Sequence, residues 1–225
     1  MNLLAIETAT TSCAIGLQWG TRQEVRTLDV ARRHTEVLTE GITSLLSDGG
    51  LRVDDLERVV VDRGPGLYTG LRVGLATAQA LARGRGVDLV GVTSLELLAH
   101  GARRAGVRGR LLALVDARRG EIFAQTFEVG DDVIVVDQPC VTSATALAVL
   151  AATNGDQLTL TGDGAVRYDE IFRAVAHFEQ FTQSLPSLLD ALDLGAVRAP
   201  SDDVAPLYLR EADAIANFST RQRQP

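Results

Sequence analysis

The chain has no lysine; all 22 of its basic side chains are arginines. That absence removes Schiff-base chemistry and the phosphate-gripping lysine of a P-loop together. Histidine is scarce as well: His34, His100 and His177 are widely separated and no His-Glu-x-x-His occurs, so a zinc peptidase is poorly supported. Two cysteines, Cys13 and Cys140, lie far apart in apolar, strand-like contexts without zinc spacing, and are expected to be buried free thiols. No run of eighteen apolar residues exists, and Met1 leads straight into Asn2-Leu3-Leu4-Ala5-Ile6. Neither a membrane span nor a signal peptide is therefore expected, and the expected compartment is the cytoplasm. The net charge of −7 argues against this chain being the main grip on nucleic acid. Arg103-Arg104 with Arg108 and Arg110 is the local exception, read as solvated helix-end arginines.

What the sequence does have is glycine in one telling place. Gly64-Pro65-Gly66-Leu67-Tyr68-Thr69-Gly70-Leu71-Arg72-Val73-Gly74 joins the apolar run Val59-Val60-Val61 to a long small-residue segment. Positive φ is open to glycine and Pro65 fixes one φ, so the stretch reads as a shaped strand-to-helix turn. It could cradle an anion or simply pack a helix closely. Gly70, Gly74, Ala78 and Ala82 recur every four residues, on one face with nothing larger than a methyl group, which favours packing against another helix. Gly84 and Gly86 are expected to stop that helix.

Taken in order, Leu3–Glu7, Cys13–Trp19 and 24–30 read as an antiparallel meander. Glu7, followed by Thr8 and further small hydroxyl residues, stands where a nucleotide-binding fold places a metal-water ligand and phosphate donors; a plain hydroxyl turn is the competing reading. From His34 the pattern is helical, with Val37, Leu38, Ile42, Leu45 and Leu46 on one face. A strand at Arg58–Asp62, the glycine loop with its helix and a strand at Leu89–Val92 make a parallel crossover unit. Thr93-Ser94-Leu95-Glu96 is a capping box opening a helix to about Arg104. Leu111–Asp116, the turn Ala117-Arg118-Arg119-Gly120 and the return strand Glu121–Val129 then repeat the first meander, with Val133–Val136 as a third strand. Beyond Pro139 come a helix at Ala144–Ala152, a strand at Leu158–Thr161, the turn Gly162-Asp163-Gly164, a helix containing Phe172 and another near Leu188. The expected division is 1–100 for an N-terminal lobe, 101–215 for a second, smaller lobe and 216–225 for a flexible tail.

Five stretches together resemble the TsaB family, also called YeaZ: Ala5-Ile6-Glu7-Thr8-Ala9-Thr10, Arg33-His34-Thr35, Arg63 through Gly74, Asp116-Ala117-Arg118-x-Gly120-Glu121 and Pro206-x-Tyr208-Leu209-Arg210. The resemblance implies an α/β, actin/hexokinase-like fold of two lobes, each a mixed sheet with helices. It also implies a non-catalytic role in making N6-threonylcarbamoyladenosine at position 37 of ANN-decoding tRNAs. In such systems a TsaD-type actin-like subunit with a His-x-x-x-His metal motif carries the chemistry, and a P-loop ATPase of the TsaE type joins. A Sua5/TsaC-type enzyme supplies threonylcarbamoyl-adenylate. Aligned after Gly91-Val92, the two histidine positions hold Ser94 and Leu98 here, which cannot bind a metal as an imidazole pair would. Two departures stand out: Glu7 replaces the usual Asp, and Leu67-Tyr68 replaces the usual Ser-Phe.

The family's interface uses the first two helices of the N-terminal lobe. The expected contact with the catalytic partner, or with a second copy in its absence, is therefore Val37, Leu38, Ile42, Leu45, Gly70, Gly74, Ala78 and Ala82. Glu7, Thr8, Gly64, Gly66, Asp116 and Gly120 are the candidate positions of a vestigial nucleotide site; no catalytic residue, no metal and no firm cofactor are expected, ATP or ADP at the partner interface stays an open alternative, and tRNA is met only indirectly. The competing reading from another class is a nucleotide-dependent phosphotransferase or ATPase using Glu7, Asp116 and the glycine loops.

Overall fold

Alternation along two strands sets the architecture. In Leu3–Glu7 (β1) and Arg58–Asp62 (β4), Leu4, Ile6, Val59 and Val61 face one core while Leu3, Ala5 and Val60 face another. A sheet buried on both faces needs helices on both, which is why these strands read as unbroken apolar runs. The computed structural model describes residues 1–28, 34–153, 158–175 and 178–210. The expected 216–225 tail, Arg33, His177 and the side chain of His34 lie outside the described residues.

β1, Ala14–Trp19 (β2) and Arg22–Thr27 (β3) form the antiparallel meander. His34–Asp48 (α1) follows, then β4 parallel to β1, Tyr68–Arg85 (α2) and Asp88–Val92 (β5) parallel to β4. The sheet order is β3-β2-β1-β4-β5. α2 runs through Gly84 and ends at Gly86, whose φ of 67° closes it, so only the second of the two expected stops acts.

The second sheet has the same plan. Gly109–Arg118 (β6), Glu121–Val129 (β7) and Val133–Val135 (β8) are the meander; Thr159–Thr161 (β10) and Glu179–Gln180 (β11) add in parallel on the other side of β6. The order β8-β7-β6-β10-β11 repeats that of the first sheet. Cys140–Ser143 (β9) pairs with the start of β7, an addition with no counterpart in the first lobe. Ala144–Thr153 (α4), Asp163–Arg167 (α5) and Asp169–Val175 (α6) cover this sheet. Two mixed sheets built on one order, each with helices, are the actin/hexokinase-like arrangement expected from the sequence.

Ser94–Arg104 (α3) joins the lobes rather than belonging to one. Its Leu97 packs with the first sheet, while Leu95, Leu98, Ala99 and Ala102 pack with β6 and β7. The expected boundary at residue 100 therefore falls inside a helix that both cores share. Leu188–Val197 (α7) also differs from the linear division: it returns to the first sheet, burying Leu188, Ala191 and Leu192 against Leu3, Ala5 and Val60. Complete burial of Leu192 alone contributes about 1.5–3 kcal/mol, and Gly195 lets the helix approach, since a Cβ there would sit 2.1 Å from Val60 Cγ2. Both cysteines are free; Cys13 is buried as expected, but Cys140 is exposed because β9 lies on the outer side of β7. No described helix is long and apolar enough to cross a membrane.

Candidate functional site

The glycine loop closes on the β1–β2 turn. A Cβ on Gly66 would lie 2.0 Å from Ala9 O, one on Gly70 2.0 Å from Thr8 O, and one on Gly74 2.2 Å from Thr8 Oγ1. The glycine half of the small stripe of α2, Gly70 and Gly74, is thus a seat for a strand turn. Thr8 Oγ1 donates to Gly70 O at 2.8 Å and the Leu67 amide donates to Ala9 O at 2.5 Å. The Gly64 amide donates to Asp62 Oδ1 and the Thr10 amide to Glu7 Oε1, at 2.8 and 2.9 Å. Amides that would have to face a phosphate are spent inside the protein, and the space is filled by backbone. The residues at this turn do not fit a nucleotide phosphate.

Two carboxyls lie buried beneath the turn. Glu7 is raised to about 8, first by burial and then by the neighbouring Asp62. Asp62, at the end of β4, is raised to about 7, with burial again the leading cause. Ser94 Oγ stands 2.7 Å from Asp62 Oδ2 and 3.0 Å from Pro65 O. A hydroxyl has one proton for these two acceptors. With Asp62 protonated, the carboxyl donates to Ser94 and Ser94 donates to Pro65, so every group is satisfied. Burial and Glu7 also push the nearby Cys13 thiol up to about 11.

The raised carboxyls predict a pH dependence of stability. An acid whose folded pKa exceeds its unfolded value keeps protons that the unfolded chain has released. The stability that these two carboxyls contribute is thus full below about pH 4 and declines as pH rises towards about 8, the window bounded by the ordinary and raised values of Asp62 and Glu7. Urea midpoints should fall steadily between pH 5 and pH 8. Asp62→Asn, which mimics the protonated carboxyl, should flatten that decline; an unchanged slope would show that Asp62 is ionised in the fold.

Asp116, the counterpart of Glu7 in the second lobe, is held differently. Its Oδ1 accepts from the Arg118 amide at 2.9 Å and from the Tyr168 hydroxyl at 3.1 Å. Oδ2 pairs with Arg118 Nη1 at 3.2 Å and Arg167 Nε at 3.3 Å. Two hydrogen bonds and two ion pairs from Arg118, Tyr168 and Arg167 thus hold the carboxylate. The Asp116 amide in turn donates to Asp163 Oδ1 at 2.8 Å, so the Gly162-Asp163-Gly164 turn braces this strand end. Arg118, Arg119 and Gly120 all take positive φ, at 67°, 56° and 83°, shaping a tight hairpin. Among the described residues no group of three or more His, Cys, Asp or Glu is placed to hold a metal.

Most of the expected interface residues lie inside the chain's own core. Leu38, Ile42, Leu45, Ala78 and Ala82 are buried against β1, β2 and β4, and Gly70 and Gly74 are covered by Thr8; Val37 is half-buried. The sequence places the apolar stripe of α1 and the small stripe of α2 at a partner contact, but a sheet buried on both faces needs them inward. What the two helices do leave outward is a groove of about 450 Å³. Thr39, Ile42 and Thr43 of α1 and Ala76, Thr77 and Ala80 of α2 line it with Val53 and Leu81, and none of these is charged. Sequence reading missed Ala76, Thr77 and Ala80; the available signal was the run without charge between Arg72 and Arg83.

Fold and site together define an actin-like two-lobed protein whose glycine loop is closed on the β1–β2 turn. Comparison narrows this. A family model described as TsaD, tRNA N6-adenosine threonylcarbamoyltransferase, matches residues 27–188. The tRNA threonylcarbamoyladenosine biosynthesis protein TsaB of Escherichia coli (strain K12) is 36% identical over 124 residues, 55% of this chain and 53% of that protein, so the match spans about half of that relative's length. TsaB of Bacillus subtilis (strain 168) is 27% identical, covering 99% of this chain and 100% of that protein. The solved YeaZ from Pseudomonas aeruginosa superposes with a TM-score of 0.80 at 24% identity, over 92% of this chain and 99% of that one, and shows the fold. The chain belongs to the TsaB (YeaZ) family.

Proposed function

We propose that this chain is a non-catalytic assembly subunit for N6-threonylcarbamoyladenosine formation at position 37 of ANN-decoding tRNAs, docking a TsaD-type catalytic subunit through the α1–α2 groove. One contrast carries the reading: the glycine loop that would hold a phosphate is closed by the backbone of the β1–β2 turn, while an uncharged groove stands open between two helices. An uncharged cleft between helices suits the apolar centre of a protein interface. A second copy of the chain occupies the groove when the partner is absent, and a TsaE-type ATPase joins the assembled pair. ATP or ADP at that interface is held by the partner. The acidic chain meets tRNA only through the complex, in the cytoplasm where tRNA is modified.

Calorimetry and light scattering test this together. The isolated chain should give no saturable heat with Mg-ATP below about 1 mM, and should shift to a heterodimer on addition of a TsaD-type subunit. Micromolar binding with turnover lost in Asp116→Asn would favour the ATPase reading instead.

A further inference from the structure

The segment after α7 ties the two lobes to one helix. The Ser201 amide donates to Leu89 O at 2.8 Å at the edge of the first sheet. Val204 is buried against Gly91, where a Cβ would lie 2.8 Å from Val204 Cγ1, and its carbonyl accepts from Gln79 Nε2 at 2.9 Å. The Leu207 amide donates to Arg63 O at 2.7 Å, beside the glycine loop. Tyr208 then packs on Tyr68, ring centroids 5.3 Å apart, and its hydroxyl lies 3.1 Å from Arg72 Nε, whose guanidinium also covers the Tyr68 ring at 3.8 Å. Leu209 joins the core of the second sheet. Arg210 donates to Ala117 O at 2.5 Å and pairs with Glu121 at 2.9 Å, gripping the β6–β7 hairpin.

We propose that residues 201–210 are a strap that couples the placement of the second lobe to α2. Tyr68, Arg72 and Gln79 share one side of α2 at i, i+4 and i+11, and this side faces the strap. Leu71, Leu75 and Ala78 face the core, and Ala76, Thr77 and Ala80 face the groove. Three faces of one helix thus read the first sheet, the strap and the docking surface. The far anchor is a tightly shaped hairpin, in which two successive non-glycine residues, Arg118 and Arg119, take positive φ where Arg210 grips it. A tilt of the second lobe is carried along a short extended segment to α2, and α2 cannot shift without pulling on the hairpin. Treating α2 as a docking helix rests on the proposed function above; the strap is a property of the chain alone.

Hydrogen exchange on the isolated full chain tests the coupling without any partner. Arg210→Ala cuts the strap at its second-lobe end, remote in sequence from α2. Exchange of the amides in residues 71–79 should rise about five- to tenfold, with the amides of β1 and β4 unchanged. An increase confined to 116–121 and 207–210 would overturn the proposal. Should Arg210→Ala speed exchange everywhere, Tyr208→Phe is the decisive variant: it removes only the hydroxyl next to Arg72, and coupling is reciprocal. Exchange in the 117–121 hairpin should then rise about twofold; an unchanged hairpin would equally overturn the strap. Because no partner is present, either result leaves the docking reading to be judged by its own binding measurement.

Discussion

Gly70→Ala is expected to destabilise the chain by about 3 kcal/mol, against the usual sign for this change in a helix. Within a helix, alanine normally gains up to about 1 kcal/mol over glycine by limiting the unfolded chain and favouring the helical backbone. Here the added methyl would sit 2.0 Å from Thr8 O, a backbone atom at the end of a buried strand. Relief requires moving the β1–β2 turn, which would disturb the Thr8 Oγ1 bond to Gly70 O and the Leu67 bond to Ala9 O. Overpacking against backbone accounts for a cost at the upper end of the ordinary range, about 3 kcal/mol. Gly84→Ala is the internal control. Nothing lies within 4 Å of a Cβ there, so the helix gain should appear as about 0.5 kcal/mol of added stability. Urea unfolding of the two variants should move the midpoint in opposite directions. Equal stability of Gly70→Ala and the parent would mean that the loop does not close on the turn.

Ala80→Arg should leave folding intact and weaken the partner by about 100-fold or more. Ala80 is exposed on α2 and lines the groove, so its replacement meets no core atom and should change stability by no more than about 0.5 kcal/mol. In the complex the same change buries a guanidinium in an apolar contact without a counter-charge, which costs several kcal/mol. Larger side chains at Gly74 or Ala78 cannot make this test. Both positions are in the core, and any loss of binding there would follow from loss of folding. Titration calorimetry of the variant against the TsaD-type subunit, beside thermal melts of the variant alone, separates the two effects.

Much of the fold could be read from local chemistry. The apolar runs ending in carboxylates, Leu3–Glu7 and Leu111–Asp116, announced two sheets on one plan, and the Thr93–Glu96 capping box located the start of α3. Those signals are short-range and hold wherever the segment packs. Which surface a helix covers is not short-range. Gly70, Gly74 and Ala78 say only that something approaches closely, and a strand turn satisfies that condition as well as a helix does. The helix near Leu188 falls in the second half of the chain, yet its partners are Leu3, Ala5 and Val60 of the first sheet, far away in sequence. Asp62 and Ser94 escaped notice as a pair for the same reason, since 32 positions separate them and only the parallel β4–β5 register brings their strand ends together. The groove was legible only as an absence of charge on the outer side of α2, a weak signal until burial shows which side is outer.

Reconstituted modification of an ANN-decoding tRNA, with the TsaD-type, TsaE-type and TsaC-type proteins and threonine, bicarbonate and ATP, bears most directly on the claim that this chain acts by docking. Glu7→Gln keeps the acceptor that Thr10 uses and mimics the buried protonated carboxyl, so it should support modification as the parent chain does. Ala80→Arg, equally well folded, should abolish it. The opposite pattern, with full modification by Ala80→Arg and none by Glu7→Gln, would contradict the account and return the chemistry to this chain's own carboxylates.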